Sequence, residues 1–310
     1  SIPRALWLIP LTAQVALLGW SGRRVREVFD LGTARQTVVD GFARVFALVE
    51  RTHFESPRLV ELKARLHTHE RPPSAEMRRL ASWVSASEMR RQFPLHFVVN
   101  PLTLWDLHVL RGLERWNREV GRQTASWFEA LGEIEALASL ATLAHGDPTV
   151  SYPEIADAGA ALAATALAHP LLAPASRVPN DVVLRGPGSA LIVTGSNMAG
   201  KSTLLRALGL NVALALAGGP VCARAFRVPR VRLRGGMRAE DSLQKGASYF
   251  HAELMKLRTV IADAEATPPV LFLLDELLRG TNARARHVGG RAVVLHLITR
   301  GATGLVATHD

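Results

Sequence analysis

The stretch from Leu191 to Ser202, LIVTGSNMAGKS, constrains the fold more than any other part of the chain. It sets the spacing G-x-x-x-x-G-K-[ST] between an apolar run and a helical stretch. That order predicts a strand, a glycine-rich turn and a helix opening at Lys201. Glycines at 195 and 200 let backbone N–H groups wrap a phosphate, and the helix aims its positive dipole end at the same point. Lys201 is placed to reach the β- and γ-phosphates of a nucleotide, and Ser202 to ligand Mg2+. Leu204, Leu205, Leu208 and Val212 form the face that packs this helix on a sheet, and Gly218-Gly219-Pro220 ends it. The flanking strand and helix argue against a chance glycine-rich turn.

Such a site needs an acid at the end of a second apolar strand, and Val270 to Glu276, VLFLLDE, supplies one. Asp275 is expected to reach the metal through water, and Glu276 to take a proton from an attacking water. Adjacent acids after a strand are also ordinary helix-start residues, so their weight comes from the pairing with the glycine loop. Thr308-His309 follows the apolar run Leu305–Ala307, which places His309 to touch a γ-phosphate and sense its loss. Phe250, Leu254, Leu257 and Ile261 mark one face of a helix, so Gly246 to Ser248 forms its N-terminus and a second anion site. The alternative there is an ordinary Ser248 cap.

The chain has 310 residues, 48% of them apolar, enough for two domains and too apolar for a disordered protein. Its one cysteine, Cys222, excludes a disulfide scaffold and a multi-cysteine zinc site. Residues 22–145 read as helices. Val38, Phe42, Val45, Phe46 and Val49 recur at helical spacing, Ser56-Pro57 opens a second helix, and Pro72-Pro73-Ser74 opens a third. Pro94 and Pro101 bracket an extended piece, Leu95 to Val99. A helix follows through Leu104, Leu107, Leu110 and Trp116. Thr124 caps a separate last one, which Gly146-Asp147-Pro148 stops. Beyond about residue 150, apolar runs at 190–194, 228–233, 270–274 and 305–307 alternate with helical stretches, which predicts an α/β layer structure with a mostly parallel sheet.

The formal net charge is +10, with 37 basic residues that are nearly all arginine. That bias reads as a composition effect. Its one concentration, Arg224 to Arg238, has no acid and suits either a phosphate backbone or a solvated arginine-rich strand. The chain opens on Ser1 and is read as a piece of a longer protein. Ala5 to Trp20 is apolar but shorter than the ~20 residues of a membrane span. It reads as a buried helix, with a truncated span kept as the alternative.

Taken together, these segments resemble the MutS family of mismatch-repair ATPases, in a shorter branch without the mismatch-reading domain. TGSNMAGKST resembles the family's Walker A loop, DSLQKGASYFHAE its signature segment, LFLLDELLRGTNA its Walker B and D-loop, and ATHD its histidine loop. His169-Pro170-Leu171 and Val178-Pro179-Asn180-Asp181 resemble the segment that enters the ATPase domain and contacts the base. The resemblance implies ATP and Mg2+ as ligands. Gly195, Ser196, Asn197, Met198, Ala199, Gly200, Lys201, Ser202, Thr203, Val178 and Asn180 are then the nucleotide-binding residues. Ser248 acts in trans on a partner's nucleotide, Ser202 and Asp275 hold the metal, and Glu276 and His309 are catalytic. Val178 stands where the family commonly carries a stacking Phe, the Phe-x-Glu mismatch reader has no counterpart, and the C-terminal dimerisation helices are missing.

The expected fold is an α/β P-loop NTPase of the ABC type, with a mostly parallel sheet, preceded by an all-helical lever or core domain. The expected division is 1–155 for the helical domain, with 1–20 as its apolar segment. A MutS-type P-loop ATPase domain takes 156–310, truncated at its C-terminus. The expected function is ATP binding and hydrolysis at a composite dimer site that drives DNA clamping in repair or recombination. The full-length protein is expected to be a cytoplasmic homodimer, with membrane contact ranked below DNA. The alternative is a nucleotide-gated, non-catalytic interaction module at a membrane. A transporter-type or chromosome-maintenance ATPase ranks last, since KGASYF replaces the LSGG-like signature. His67-Thr-His69-Glu70 reads as solvated surface, and Trp83, Trp105, Trp116 and Trp127 as core.

Overall fold

The computed structural model describes residues 36–67, 70–91, 94–196, 198–236, 249–278 and 281–309, with scattered positions between 12 and 29. Most of the apolar segment 1–20 lies outside these residues. Among the described residues, no helix is long and apolar enough to cross a membrane. Internal contacts divide the chain into two compact units, Ser1–Ala136 and Leu137–Asp310.

The first unit is helical: α1 (Gln36–Arg51), α2 (Pro57–Leu66), α3 (Pro73–Glu88), a 3-10 turn (Met89–Arg91), α4 (Leu95–Thr103) and α5 (Trp105–Gly146), whose last turns fall in the second unit. Helical periodicity sets its core. Phe46 and Val49 of α1, Leu62 and Leu66 of α2, Met77 of α3, and Trp116, Val120, Trp127 and Leu131 of α5 share one buried cluster. Phe46 meets Trp127 edge-on at 6.5 Å between ring centroids. Side chains of this size each contribute about 1.5–3 kcal/mol on full burial. Trp116 and Trp127 are therefore core, as their spacing predicts.

Two expectations about this unit are corrected. The piece bracketed by Pro94 and Pro101 is helix α4, with Pro101 inside it. A polar knot closes α4: Asn100 Oδ1 accepts from the Asp106 N–H at 2.9 Å, His96 Nε2 lies 2.9 Å from Asp106 Oδ1, and Leu104 turns the chain at φ 53°. Thr124 caps nothing. It sits mid-way along a continuous α5, where its hydroxyl donates to the Gly121 carbonyl at 2.7 Å. A Thr satisfied within its own helix gives the same sequence signal as a cap.

The second unit carries β1 (Glu154–Ala156), β2 (Leu162–Leu167), a 3-10 turn (Pro174–Ser176), β3 (Asn180–Leu184), β4 (Ala190–Thr194), α6 (Lys201–Leu216), β5 (Ala225–Pro229), β6 (Arg232–Gly236), α7 (Tyr249–Ala262), β7 (Val270–Asp275), α8 (Ala283–Thr299) and β8 (Thr303–Thr308). These strands form two four-stranded sheets, and the expected single, mostly parallel sheet is corrected accordingly. In the order β1-β5-β2-β3, strand β2 runs antiparallel to both of its neighbours and β1 parallel to β5. The other sheet, β4-β8-β7-β6, is wholly parallel. The apolar run read as one strand at 228–233 is split between them. Pro229 ends β5 in the mixed sheet, and β6 starts at Arg232 in the parallel one.

Strand β7 shows why its sequence is continuously apolar. Leu271 and Leu273 face a core shared with Leu205, Leu208 and Val212 of α6, while Val270, Phe272 and Leu274 face Leu257 and Val260 of α7 and Leu297 of α8. Alternate side chains point to opposite faces, and both faces are covered.

Candidate functional site

The register of the parallel sheet sets three strand ends level. Thr194 of β4 pairs with Thr308 of β8, and Ala307 of β8 pairs with Asp275 of β7. The segments that follow these strands therefore open on one sheet edge, where open α/β sheets bind ligands. β8 lies between the other two, so His309 stands between the glycine loop and the acid pair.

The loop from Gly195 ends at Gly200, which takes φ 87° as the N-cap of α6. A left-handed residue at this point favours glycine. No side chain caps α6, so its first-turn N–H groups are presented to the loop's concavity. Asn197 lies outside the described residues. Met198 is fully exposed at φ 66°. The Ala199 N–H donates to the Ser196 carbonyl at 3.4 Å. Lys201, buried to 8% exposure, donates its ammonium to the Gly195 carbonyl and, at 3.0 Å, to that of Ser196.

A cavity of about 700 Å3 joins these groups. Its walls carry Ser196, Met198 to Thr203, Arg206, Asp275, Glu276, Arg286 and His309. Asp275 Oδ1 is buried without a hydrogen-bond partner. Glu276 has φ 50° and donates its N–H to the Ala307 carbonyl at 2.9 Å. Its Oε1 lies 3.2 Å from His309 Nδ1. The turn after it is held by Glu253 of α7, whose carboxylate accepts the Leu278 N–H.

A second cavity of about 470 Å3 shares Met198 to Lys201 and Thr203 with the first and is walled by His169, Leu172, Val178 and Asn180. Val178 is 77% exposed, and Asn180 Nδ2 donates to the Val178 carbonyl at 3.0 Å. The residues expected to border a base, Val178 and Asn180, and the glycine loop thus line one cavity. Burial holds the His169 imidazole below its usual range, and the Arg206 and Arg177 charges add to that. The 169–178 segment is anchored by Arg177, which donates to the Leu172 carbonyl at 2.8 Å and pairs with buried Asp147. The hydroxyl of Thr149, then Arg177, hold the Asp147 carboxyl down to about 2. Asn211 of α6 ties in both ends of the region, donating to the Ala168 carbonyl at 2.9 Å and accepting from the Cys222 N–H at 2.6 Å.

Ser248, Arg279 and Gly280 lie outside the described residues, as does His69. Among the described residues no cluster of three or more His, Cys, Asp or Glu side chains is placed to hold a metal ion. Within the arginine-rich run 224–238, Arg232 and Arg234 are on β6 and both pair with Asp263, at 3.4 Å for Arg232. The sequence reading overlooked Arg206, Arg286, Glu253 and the Asp147–Arg177 pair. Arg206 was detectable, one helical turn beyond Ser202 on α6. Arg286 was not, because its place depends on Asn282 capping α8 through the Ala285 N–H at 2.8 Å.

A family model described as MutS domain V matches residues 191–310. The DNA mismatch repair protein MutS of Myxococcus xanthus is 38% identical over 192 residues, covering 58% of this chain and 21% of that protein. The protein of the same name in Sorangium cellulosum is 33% identical over 282 residues, 86% of this chain and 29% of its own. Endonuclease MutS2 of Solidesulfovibrio magneticus is 37% identical over 207 residues, 64% of this chain and 26% of its own. The chain thus spans less than a third of the length of these relatives. The match also corrects the fold class. It is to MutS domain V, and the fold is a mixed helical and two-sheet structure carrying a domain V segment, in place of the expected ABC-type P-loop NTPase behind a helical domain.

Proposed function

We propose, for a chain that belongs to the MutS family, that the cavity at the level strand ends binds ATP and that its terminal phosphate is hydrolysed there. One observation carries the reading: a single cavity holds Lys201, Ser202, Asp275, Glu276 and His309 together. The residues also fit a magnesium ion. Asp275 keeps a buried carboxylate oxygen without a hydrogen-bond partner on the wall that Ser202 shares, and hard oxygen donors beside a phosphate are what Mg2+ takes. When bound, the ion supplies charge neutralisation for the phosphate chain.

The chain's own residues do the rest. The uncapped first turn of α6 and the Lys201 ammonium bind phosphate oxygens, the lysine exchanging its two carbonyl acceptors for them. Glu276 accepts the proton of the attacking water, and His309 holds the carboxylate in place. Val178 and Asn180 border the base. The longer protein is proposed to act as a cytoplasmic homodimer on DNA, with Ser248 reaching the partner's nucleotide and the helices before residue 156 acting as a lever.

Calorimetric titration with Mg2+ and ATP tests the site. Lys201→Ala should lose measurable affinity, and Glu276→Gln should bind but release no phosphate. Equal affinity in wild type and Lys201→Ala removes the cavity from the proposal, and wild-type turnover in Glu276→Gln removes the base. DNA binding by Glu276→Gln with ATP, titrated with salt, separates a shape-specific ligand from plain phosphate attraction.

A further inference from the structure

Arg286 is a cavity residue that no sequence motif marks. It lies in the first turn of α8, where its N–H donates to the Asn282 carbonyl at 2.9 Å. That turn contains no acid and also carries Arg284. Cations at a helix N-terminus oppose the dipole. Arg284 is exposed, whereas Arg286 is half-buried against the phosphate cavity.

Its position along the site is specific. The base-side cavity meets the phosphate cavity through Met198 to Lys201 and Thr203 and does not include Arg286. Arg286 instead separates the phosphate cavity from a third, apolar one of about 260 Å3 lined by Leu277, Val294 and Val306. A nucleotide with its base at Val178 and its phosphates running past Gly200 and Lys201 therefore points its last phosphate toward Glu276, His309 and Arg286. Arg206 lines the phosphate cavity too, but from α6, one turn beyond Ser202, and its charge also acts on His169, which borders the base-side cavity, so it faces the part of the site that a diphosphate and a triphosphate both fill.

We infer that Arg286 binds the terminal phosphate in cis and makes the site prefer a nucleoside triphosphate over the diphosphate. A guanidinium presents a planar fork of donors that matches phosphate oxygens. The inference rests on the ATP reading above, and the test separates the two. Calorimetry with Mg2+ compares ADP with the β,γ-imido analogue of ATP, on wild type, Arg286→Ala, Arg286→Lys and Arg206→Ala, each checked by far-UV circular dichroism. Arg286→Ala should weaken the triphosphate analogue about tenfold, the loss of one charge-assisted interaction, and ADP by less than about twofold. Arg286→Lys should recover part of the loss, and Arg206→Ala should weaken both ligands alike. Equal weakening of both ligands by Arg286→Ala, or no change in either, overturns the role of Arg286 and leaves the ATP reading standing. Failure of the wild type to bind either ligand overturns both.

Discussion

His309 Nδ1 lies 3.2 Å from Glu276 Oε1, and the two residues follow neighbouring strands of one parallel sheet. Glu276 is 8% exposed and held at φ 50°. A non-glycine residue in that region costs of order 1–3 kcal/mol. The bond from its N–H to Ala307 and the grip of Glu253 on Leu278 maintain it. The strained backbone of Glu276 and the imidazole 3.2 Å from its carboxylate hold that group where the proposed general base has to stand.

Removing the base should therefore separate binding from chemistry. Glu276→Gln should reduce phosphate release by about 100-fold or more while ATP still binds. His309→Ala should reduce it less, because the carboxylate remains. Steady-state phosphate release beside a binding titration reads both effects, and a fall in affinity that matches the fall in rate would refute the division of roles.

Asp275 is expected to trade stability for metal binding. Its unpartnered buried oxygen carries a desolvation cost of about 1–3 kcal/mol. Asp275→Ala should raise the urea midpoint in EDTA and abolish the rise in melting temperature that Mg2+ with ATP gives the wild type. A variant destabilised in EDTA would show the carboxylate to be structural.

The Asp147–Arg177 pair should make stability fall in acid. The folded carboxyl stands at about 2, against about 3.9 in an unfolded chain, so the unfolded state binds the proton more tightly. The carboxylate's contribution, about 2 kcal/mol and owed to Thr149 first and Arg177 second, is complete above pH 4 and lost as the pH falls toward 2. Asp147→Asn should be less stable than wild type at pH 7, with the gap closing near pH 2. A gap independent of pH would dissociate the shift from folding.

Gly304 of β8 lies against the ring of buried Phe272. A Cβ built at this position comes within 2.2 Å of a ring carbon. Gly304→Ala should destabilise the second unit by about 1–3 kcal/mol through overpacking, and Phe272→Leu in the same chain should restore part of it. Urea unfolding of the two variants and their combination measures the rescue, and simple additivity of the two losses would exclude the clash.

The local chemistry of this chain could be read from its residues. The glycine at 200, the helix opening at Lys201, the buried run of β7 and the helices around Phe46, Leu62 and Trp127 follow from hydrophobic period, turn chemistry and side-chain type. All of these act within a few residues. The same signals misled where two structures share one pattern: Thr124 inside a helix imitates a cap, and the prolines at 94 and 101 imitate a strand boundary.

Long-range pairing was decided only in three dimensions. No period in 225–236 reveals that Pro229 belongs to one sheet and Arg232 to another. Nor does any period show that Thr194, Thr308 and Asp275 stand level, or that Arg286 meets the cavity of Lys201. A strand's pattern records which of its faces is buried, whereas its partner and register depend on hydrogen bonds and packing between residues far apart in the chain.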